Sequence, residues 1–217
     1  MLASLSFNNI SCERDERILF NNLSYECKSG TLLQVVGFNG AGKTTLLHTL
    51  CGLRQPATGQ ILWQAQDISL NPQLFKQSLF FLGHQTPVKG HLTVTENIQW
   101  LRSLHPVPSY TSIQQALIEV DLLAYADTHC HQLSAGQRRR VALSQLYLTQ
   151  ASLWVLDEPF TSIDKAGVAK LALRLQQHTE RGGIVVLTSH QPVELEHLQS
   201  LDLSRYQPSL EEHIAHG

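Results

Sequence analysis

The sequence contains no long apolar run. Strongly apolar stretches such as LWVL (Leu153–Leu156) and IVVL (Ile184–Leu187) have four residues, whereas a helix that crosses a bilayer needs about 20. The first residues, MLASLSFNNI, also lack the basic start and the continuous apolar segment of a signal peptide. We therefore expect a soluble chain without a targeting segment.

The chain has little net charge. Its 16 basic and 18 acidic residues give a formal net charge of -2, and charged side chains make up only 16% of the sequence. This balance gives no electrostatic reason to expect a nucleic-acid partner. We interpret the one basic run, Arg138–Arg140, as a solvated helix face.

The four cysteines form no CxxC pair, which favours a reducing compartment over a disulfide framework. One of them, Cys130, lies between His129 and His131, but the sequence has no CxxCH haem-attachment motif. Adjacent ligands without a second pair at metal-binding spacing are a poor basis for a metal site. We expect these three to be loop residues, with no haem or zinc bound to this chain.

The pattern of apolar residues predicts one α/β domain. With 217 residues, 42% of them hydrophobic, the chain can bury one substantial core. The N-terminal third alternates apolar and polar residues, as in LASLSFNNI, which predicts antiparallel strands. LLQVVG, SLFFLGHQ, SLWVLDEP and GIVVLTSH are apolar on both sides and alternate with helical patterns. They predict a mostly parallel sheet covered on both faces, with a helical segment from about residue 93 to residue 150.

A glycine-rich loop follows the strand LLQVVG. GFNGAGKT, Gly37–Thr44, matches the phosphate-binding pattern GxxxxGK[ST] at every fixed position. Gly40 and Gly42 allow successive N–H groups to point inward around phosphates, and the N-terminus of the following helix adds positive charge. Lys43 would reach the β- and γ-phosphates, and the Thr44 hydroxyl would bind Mg²⁺. A chance glycine turn is the alternative, but the flanking strand and helix are the context that the motif requires.

The helix after this loop carries leucines at helical spacing. In NGAGKTTLLHTLCGL we expect one apolar face formed by Leu46, Leu47, Leu50 and Leu53.

Polar residues follow the other apolar strands. Because ligands bind beyond the carboxyl ends of parallel strands, we expect Gly37, Gln85, Asp157, Glu158 and His190 to share one crevice. Asp157 would hold Mg²⁺ and Glu158 would polarise the attacking water. His190 would hydrogen-bond the γ-phosphate, and Gln85 would reach Mg²⁺ or the water. Considered alone, Asp157 and Glu158 would also fit the cap of a helix. Considered alone, His190 and Gln85 would also fit ordinary loop residues.

The stretch LSAGQRRRVALSQLYL begins with a helix-capping pattern. Ser134 and Gln137 form a predicted capping box. Capping explains neither Ala135 nor Gly136, whose small side chains leave the N–H groups of the first turn uncovered.

Together these motifs resemble the ABC-type ATPases in order and spacing, over nearly the whole chain. The resemblance implies a P-loop NTPase with a core of about 1–84 and 151–217 and a helical subdomain of about 85–150. It also implies that LSAGQ, with Ser134, Ala135, Gly136 and Gln137, binds the γ-phosphate of an ATP held by a second copy. Asp164, in SID, would communicate across that homodimer.

The nucleotide-binding residues predicted in this way are Gly37, Phe38, Asn39, Gly40, Ala41, Gly42, Lys43, Thr44, Thr45 and Arg14. In the family an aromatic side chain usually stacks on adenine, and here that position falls near Arg14, with no aromatic residue beside it. The guanidinium of Arg14 would stack instead, with Arg17 as a second candidate. ATP and Mg²⁺ are the implied cofactors.

More narrowly, CERDERILFNNLS, LSAGQRRRVALSQLYL and LWVLDEPFTSID resemble the ATPase subunits of the cytochrome c maturation system, or haem exporters. This resemblance implies a peripheral protein on the cytoplasmic face of the bacterial inner membrane, bound to polytopic permease subunits. Leu92, Val94, Ile98 and Trp100 are candidates for that contact, although subdomain core is the interpretation that we favour for most of them.

Three other functions remain open. The chain could serve another ABC importer or exporter, which would share every nucleotide-binding residue. A soluble non-transport ABC ATPase is disfavoured because only about ninety residues separate Lys43 from Ser134, which leaves no room for a long coiled-coil insertion. A P-loop kinase would leave LSAGQ, Glu158 and His190 unexplained.

Overall fold

The computed structural model describes residues 3–15, 17–104, 111–191 and 193–208. The strands are β1 (Ser4–Arg14), β2 (Arg17–Lys28), β3 (Leu32–Val36), β4 (Thr58–Trp63), β5 (Gln66–Asp67), β6 (Leu79–Leu82), β7 (Leu153–Leu156), β8 (Ile184–Thr188) and β9 (Leu198–Asp202). The α-helices are α1 (Lys43–Leu50), α2 (Pro72–Ser78), α3 (Val94–Ser103), α4 (Ile113–Glu119), α5 (Ala135–Leu143), α6 (Gln145–Leu148) and α7 (Lys165–Glu180). Short 3₁₀ helices cover Leu123–Tyr125, Cys130–Gln132 and Leu203–Tyr206.

The N-terminal strands form the predicted antiparallel sheet, in the order β2-β1-β4-β5. Residues of β1 alternate between one buried and one more exposed face, so that Leu5 and Phe7 are fully buried. Phe7 pairs with Tyr25 across the two strands, and their rings stack with centroids 5.9 Å apart. The period-two pattern read from the sequence therefore corresponds to one packed face of this sheet.

The second sheet is parallel, in the order β6-β7-β8-β3-β9. Every residue of β7 and β8 is buried. Leu153 and Val155 join the apolar cluster on one face of the sheet, whereas Trp154 and Leu156 join the cluster on the other. Both faces are covered, which is why these strands read as continuous apolar runs.

The helix after the glycine-rich loop is shorter than expected. Leu46, Leu47 and Leu50 are fully buried, but α1 ends at Leu50 and Leu53 is 61% exposed. Gly52 has a φ of 67° and turns the chain away from the sheet. The prediction that Leu53 shares the apolar face is therefore wrong.

The helices between β6 and β7 have an apolar cluster of their own, which includes Val94, Ile98 and Val141. At its edge lies the buried side chain of Asn97, whose amide donates to the Lys89 carbonyl at 2.9 Å and accepts from the Lys89 N–H at 2.8 Å. Because this cluster is distinct from the two clusters on the faces of the parallel sheet, we propose that these helices form the helical subdomain that the sequence predicts.

Two of the four candidate partner-contact residues belong to this core, although we expected most of them to do so. Val94 and Ile98 are fully buried. Leu92 and Trp100 are half-buried, and the Lys89 ammonium lies 4.1 Å from the centre of the Trp100 ring. No helix in the described part of the chain is both long enough and apolar enough to span a bilayer.

Candidate functional site

The glycine-rich loop connects β3 to α1 at the carboxyl edge of the parallel sheet. Gly40 and Gly42 have φ values of 91° and 98°, a conformation that side chains with a Cβ rarely adopt. The helix α1 starts directly after the loop, with Gly42 as its N-cap, and no side chain of the described residues caps it. The Lys43 ammonium folds back over the loop and donates to the carbonyls of Gly37 at 2.8 Å and Phe38 at 3.2 Å. A cation and a helix N-terminus therefore converge where the sequence predicts phosphates.

The carboxylate of Asp157 lies beside this loop at the end of β7. The Thr44 hydroxyl donates to Asp157 Oδ2 at 3.0 Å, and the Thr188 hydroxyl donates to Asp157 Oδ1 at 2.7 Å. Thr188, the last residue of β8, carries no motif that singles it out in the sequence. The carboxylate is 3% exposed, and its two oxygens are held by hydroxyl groups from two other elements.

Glu158 has the left-handed backbone conformation, with a φ of 50°. Its N–H donates to the Thr188 hydroxyl at 3.0 Å, and its Oε2 accepts the backbone N–H of His190 at 3.1 Å. Glu158 Oε1 is buried and accepts no hydrogen bond from the described residues; the His190 ring nitrogen Nε2 is 3.5 Å away. Among the described residues, the His190 ring is thus the group that faces this oxygen, at ion-pair distance.

These groups line one cleft of about 570 Å³. The predicted residues that line it are Arg14, Asn39, Gly40, Gly42, Lys43, Thr44, Thr45, Asp157, Glu158 and His190. Of the other predicted loop residues, Gly37 precedes the turn, Ala41 is buried beneath it, and Phe38 is 54% exposed.

Gln85 does not join the residues that line the cleft, although its neighbour His84 does. Gln85 is exposed just beyond β6. Its predicted roles stay predictions, and His84 is a lining residue that the sequence did not indicate.

Arg14, Asp15, Arg17 and Leu19 also line the cleft. Arg14 Nε lies 3.5 Å from a carboxylate oxygen of Asp15, and both side chains are mostly exposed. The described residues that line the cleft include no phenylalanine, tyrosine or tryptophan. Stacking of adenine on Arg14 stays a prediction.

The capping box that the sequence predicts at the start of α5 is confirmed. The Ser134 hydroxyl accepts the Gln137 N–H at 3.2 Å, and Gln137 Oε1 accepts the Ser134 N–H at 2.9 Å. Ser134 and Ala135 are exposed, and neither lines the cleft of the same chain. A Cβ on Gly136 would lie 2.7 Å from the Ser162 carbonyl oxygen, so packing within the chain already requires glycine there.

Asp164 caps α7, since its Oδ1 accepts the Gly167 N–H at 2.8 Å. This role within the chain accounts for an acidic residue at that position and leaves its predicted role in a dimer untested.

The interpretation of Arg138–Arg140 as a solvated helix face is wrong for the middle residue. Arg139 is 3% exposed, and its guanidinium donates to the carbonyls of Glu158 at 2.8 Å and Asp157 at 3.2 Å. Burial lowers the pKa of Arg139 below its ordinary value, and the charges of Asp157 and Glu158 act in the opposite direction. The sequence offers no signal for this contact, because α5 and β7 meet only in the folded chain.

Cys130 and His131 lie in a short 3₁₀ helix and His129 caps its start, so these residues do not form an irregular loop. The histidine Nδ1 atoms lie 3.0 Å from the carbonyls of His91 and Gly90, and the two rings stack. Cys130 points into the subdomain core. Within the described ranges, no group of three or more potential ligands is arranged to hold a metal ion.

The chain is similar in sequence to a large group of known proteins. A family model described as an ABC transporter matches residues 20–161. The chain is 46% identical over 203 residues to the cytochrome c biogenesis ATP-binding export protein CcmA of Haemophilus influenzae, an alignment that covers 93% of this chain and 96% of that protein. The CcmA protein of Escherichia coli (strain K12) is 46% identical over 192 residues, or 88% of this chain and 91% of that protein.

The fold is shared with solved structures. A putative ABC transporter ATP-binding protein from Pyrococcus furiosus superposes with a TM-score of 0.81 at 25% identity, over 94% of this chain and 100% of that one. A dimeric ATP-binding cassette, MJ0796, bound to ADP and Pi, superposes with a TM-score of 0.73 at 22% identity, over 86% of this chain and 88% of that one, which shows the fold alone. The phosphate loop, the acidic end of β7 and the capped start of α5 all lie within residues 20–161, which the family model matches. The chain therefore belongs to the ABC transporter family, among its cytochrome c biogenesis ATP-binding export proteins.

Proposed function

We propose that this ABC ATPase is the energy-coupling subunit of a membrane transporter for c-type cytochrome biogenesis, of the haem exporter type. The observation that supports the pathway is the 46% identity to CcmA proteins along about nine-tenths of the chain. The observation that supports hydrolysis is that the Glu158 carboxylate, whose Oε1 accepts no hydrogen bond from the described residues, lines the same cleft as the phosphate loop.

ATP binds with its phosphates against the loop of Gly37–Thr44. The backbone N–H groups and the Lys43 ammonium neutralise the phosphate charge. Mg²⁺ fits beside them, because Thr44 and Asp157 offer a hydroxyl and a carboxylate, the hard oxygen ligands that this ion prefers, with Gln85 as a third candidate. When bound, the ion neutralises charge on the β- and γ-phosphates.

Glu158 acts as the general base. Its Oε1 accepts a proton from the attacking water, the water oxygen bonds to the γ-phosphorus, and the bond from that phosphorus to the bridging oxygen breaks to release ADP. A positioned base of this kind contributes about 10²–10⁴ in rate. His190 holds Glu158 through its backbone N–H and offers its exposed ring to the γ-phosphate.

A second copy of the chain completes the site. Ser134, Ala135, Gly136 and Gln137 of one copy contact the γ-phosphate held by the other, and Asp164 lies near the same boundary. The exposure of Ser134 and Ala135, away from their own cleft, supports this arrangement.

The membrane partner is a set of polytopic permease subunits, at the cytoplasmic face of the bacterial inner membrane. Leu92 and Trp100, the half-buried pair on the helical subdomain, are the candidates for contact. An ATPase for another ABC importer or exporter would share the whole nucleotide site, and only the sequence identity favours the cytochrome pathway over it.

The pathway can be tested by complementation of a bacterium that lacks its own CcmA gene. We expect the chain to restore covalent haem in c-type cytochromes, measured by haem staining of periplasmic proteins. Lys43→Ala, expressed at the same level, should restore none. A tagged Glu158→Gln chain, captured with ATP from solubilised membranes of the same strain, should bring down cytochrome c maturation subunits. Recovery of another permease, without restored cytochromes, would contradict the pathway while leaving the ATPase assignment intact.

A further inference from the structure

Arg139, whose guanidinium is buried, belongs to none of the motifs described above. It projects from the first turns of α5 toward the carboxyl edge of the parallel sheet, whereas its neighbours Arg138 and Arg140 are half-buried. One of its terminal nitrogens donates to the carbonyls of Glu158 at 2.8 Å and Asp157 at 3.2 Å, and the other donates to the carbonyl of Gly83 at 3.3 Å. Every acceptor is backbone, just beyond the end of β7 or β6.

This arrangement is costly to bury. A guanidinium removed from water needs several good acceptors, yet Arg139 Nε has no hydrogen-bond partner among the described residues. Its three contacts to strand ends offset that cost only in part. A neutral apolar residue could fill the same space for packing alone, so the cation points to a role in positioning the groups that it contacts.

One of those groups is in a strained conformation. Glu158 has a φ of 50°, which a residue with a side chain adopts only when its surroundings hold it there. Arg139 holds the Glu158 carbonyl, and Thr188 holds the Glu158 N–H. The Thr161 N–H also donates to this carbonyl at 3.2 Å, and the His190 N–H donates to Oε2 at 3.1 Å. The direction of the Glu158 side chain depends on these contacts together.

The third contact connects Arg139 to the segment that leads into the helical subdomain. The Gly83 carbonyl immediately precedes His84, which lines the cleft, and Gln85. A single side chain from α5 therefore touches the start of this segment and the backbone of both acidic residues.

We propose that Arg139 is a positioning residue. Through it, the position of helix α5 relative to the parallel sheet determines the orientation of Glu158. Movement of α5 away from the strand ends withdraws the guanidinium and releases the Glu158 backbone from its hydrolytic conformation. The proposal rests on ATP hydrolysis by this chain and is independent of the pathway it serves.

The test compares Arg139→Gln and Arg139→Lys in the full chain, with Arg138→Gln as the matched control. Among the described residues, Arg138 donates to the Leu133 carbonyl next to its own helix and to neither acidic residue of the site. We expect Arg139→Gln to lower kcat for ATP about 10- to 100-fold, the scale of a catalytic group misplaced by about 1 Å, with KM for ATP within about twofold of wild type. Arg139→Lys, which keeps the charge but replaces the planar two-nitrogen fork by a single ammonium, should fall between. The control should stay within about twofold in both constants.

Thermal unfolding of each variant separates positioning from stability. A purely structural role predicts a lower Tm with an unchanged kcat per folded chain, and that result would overturn the proposal. A kcat within twofold of wild type in Arg139→Gln would do the same, and should that variant fail to fold, Arg139→Lys decides by the same criterion. Absence of hydrolysis in the wild-type chain itself would instead overturn the proposed ATPase function, and this proposal with it.

Discussion

The hydroxyl of Thr188 orders both acidic residues of the site. It donates to Asp157 Oδ1 at 2.7 Å and accepts the Glu158 N–H at 3.0 Å. Both bonds are buried, so each stabilises its geometry more than a solvent-exposed bond would. One side chain on β8 thus fixes the predicted Mg²⁺ ligand and the predicted base relative to each other.

Replacement of Thr188 by valine should therefore impair hydrolysis more than ATP binding. The variant leaves the Glu158 N–H buried and unpaired, which costs about 1–3 kcal/mol of stability. We expect kcat to fall at least about tenfold, whereas Thr188→Ser, which restores the hydroxyl, should recover most of it. Steady-state hydrolysis and urea unfolding of the two variants check this. Equal kcat in the valine and serine variants would show that the hydroxyl orders nothing that the reaction needs.

Residues inside contiguous motifs could be predicted from the sequence, and residues that act across elements could not. Lys43 and Thr44 belong to a pattern in which every fixed position is present, and Asp157 with Glu158 ends an apolar strand. Thr188 reaches the acidic pair because β7 and β8 are parallel neighbours, with Leu156 opposite Leu187. That neighbour relationship depends on the order of the strands in the sheet, which local apolar patterns do not specify.

At the scale of elements, α7 is attached to the sheet by an unusual pair of rings. His178 of α7 stacks on Trp154 of β7 with centroids 3.7 Å apart and planes 9° from parallel. Gly183 makes room for the pair, because a Cβ there would lie within 2.5 Å of the imidazole ring. Burial, helped by the charge of Arg174, lowers the pKa of His178 from 6.5 to about 4.

The stability of the fold should accordingly fall in mild acid. Folded His178 stays neutral down to about pH 4, whereas in the unfolded chain it takes up a proton below about pH 6.5. The unfolded state then binds more protons, so the free energy of unfolding decreases as the pH falls from 6.5 to 4, by a few kcal/mol at most, and this histidine contributes no pH dependence above that range. Urea unfolding of wild type and of His178→Phe at pH 7.5, 6.0 and 5.0 measures this change in the free energy of unfolding. The phenylalanine keeps the stacking, so its loss of stability with acid should be smaller; parallel losses would show that other groups are responsible.

The helix boundaries show where sequence patterns are weakest. The leucine repeat after the phosphate loop predicts the buried face of α1 correctly through Leu50 and fails at Leu53. The repeat continues in the sequence, but the positive φ of Gly52 ends the helix. A glycine at this spacing is compatible with both outcomes, because tertiary contacts decide whether the last turn continues.

At the scale of the whole molecule, the cleft of one chain holds the phosphate loop and both acidic residues but none of the residues Ser134–Gln137. The helix that carries these four residues is well capped by its own side chains. In this first turn Ser134 and Ala135 are exposed, whereas packing against the Ser162 carbonyl accounts for Gly136. Contact of the turn with a second copy stays a prediction.

A stable dimer should require bound ATP that is not hydrolysed and an intact first turn of α5. Glu158→Gln, which retains ATP, should form a dimer on its addition, seen as a doubled mass by light scattering coupled to gel filtration. The double variant Glu158→Gln with Ser134→Arg carries a bulky cation at the proposed contact and should be a monomer. The ATP affinity of this monomer should be within about twofold of that of Glu158→Gln alone. Lys43→Ala in the Glu158→Gln background is the control that should lose both ATP and the dimer. If Ser134→Arg abolished ATP binding by the monomer, Ser134 would act within its own chain, and the shared site would have to be abandoned. A dimer that persisted in the double variant would instead put the contact elsewhere on the surface, because a charged side chain as large as arginine cannot be accommodated beside a bound γ-phosphate in a close-packed interface.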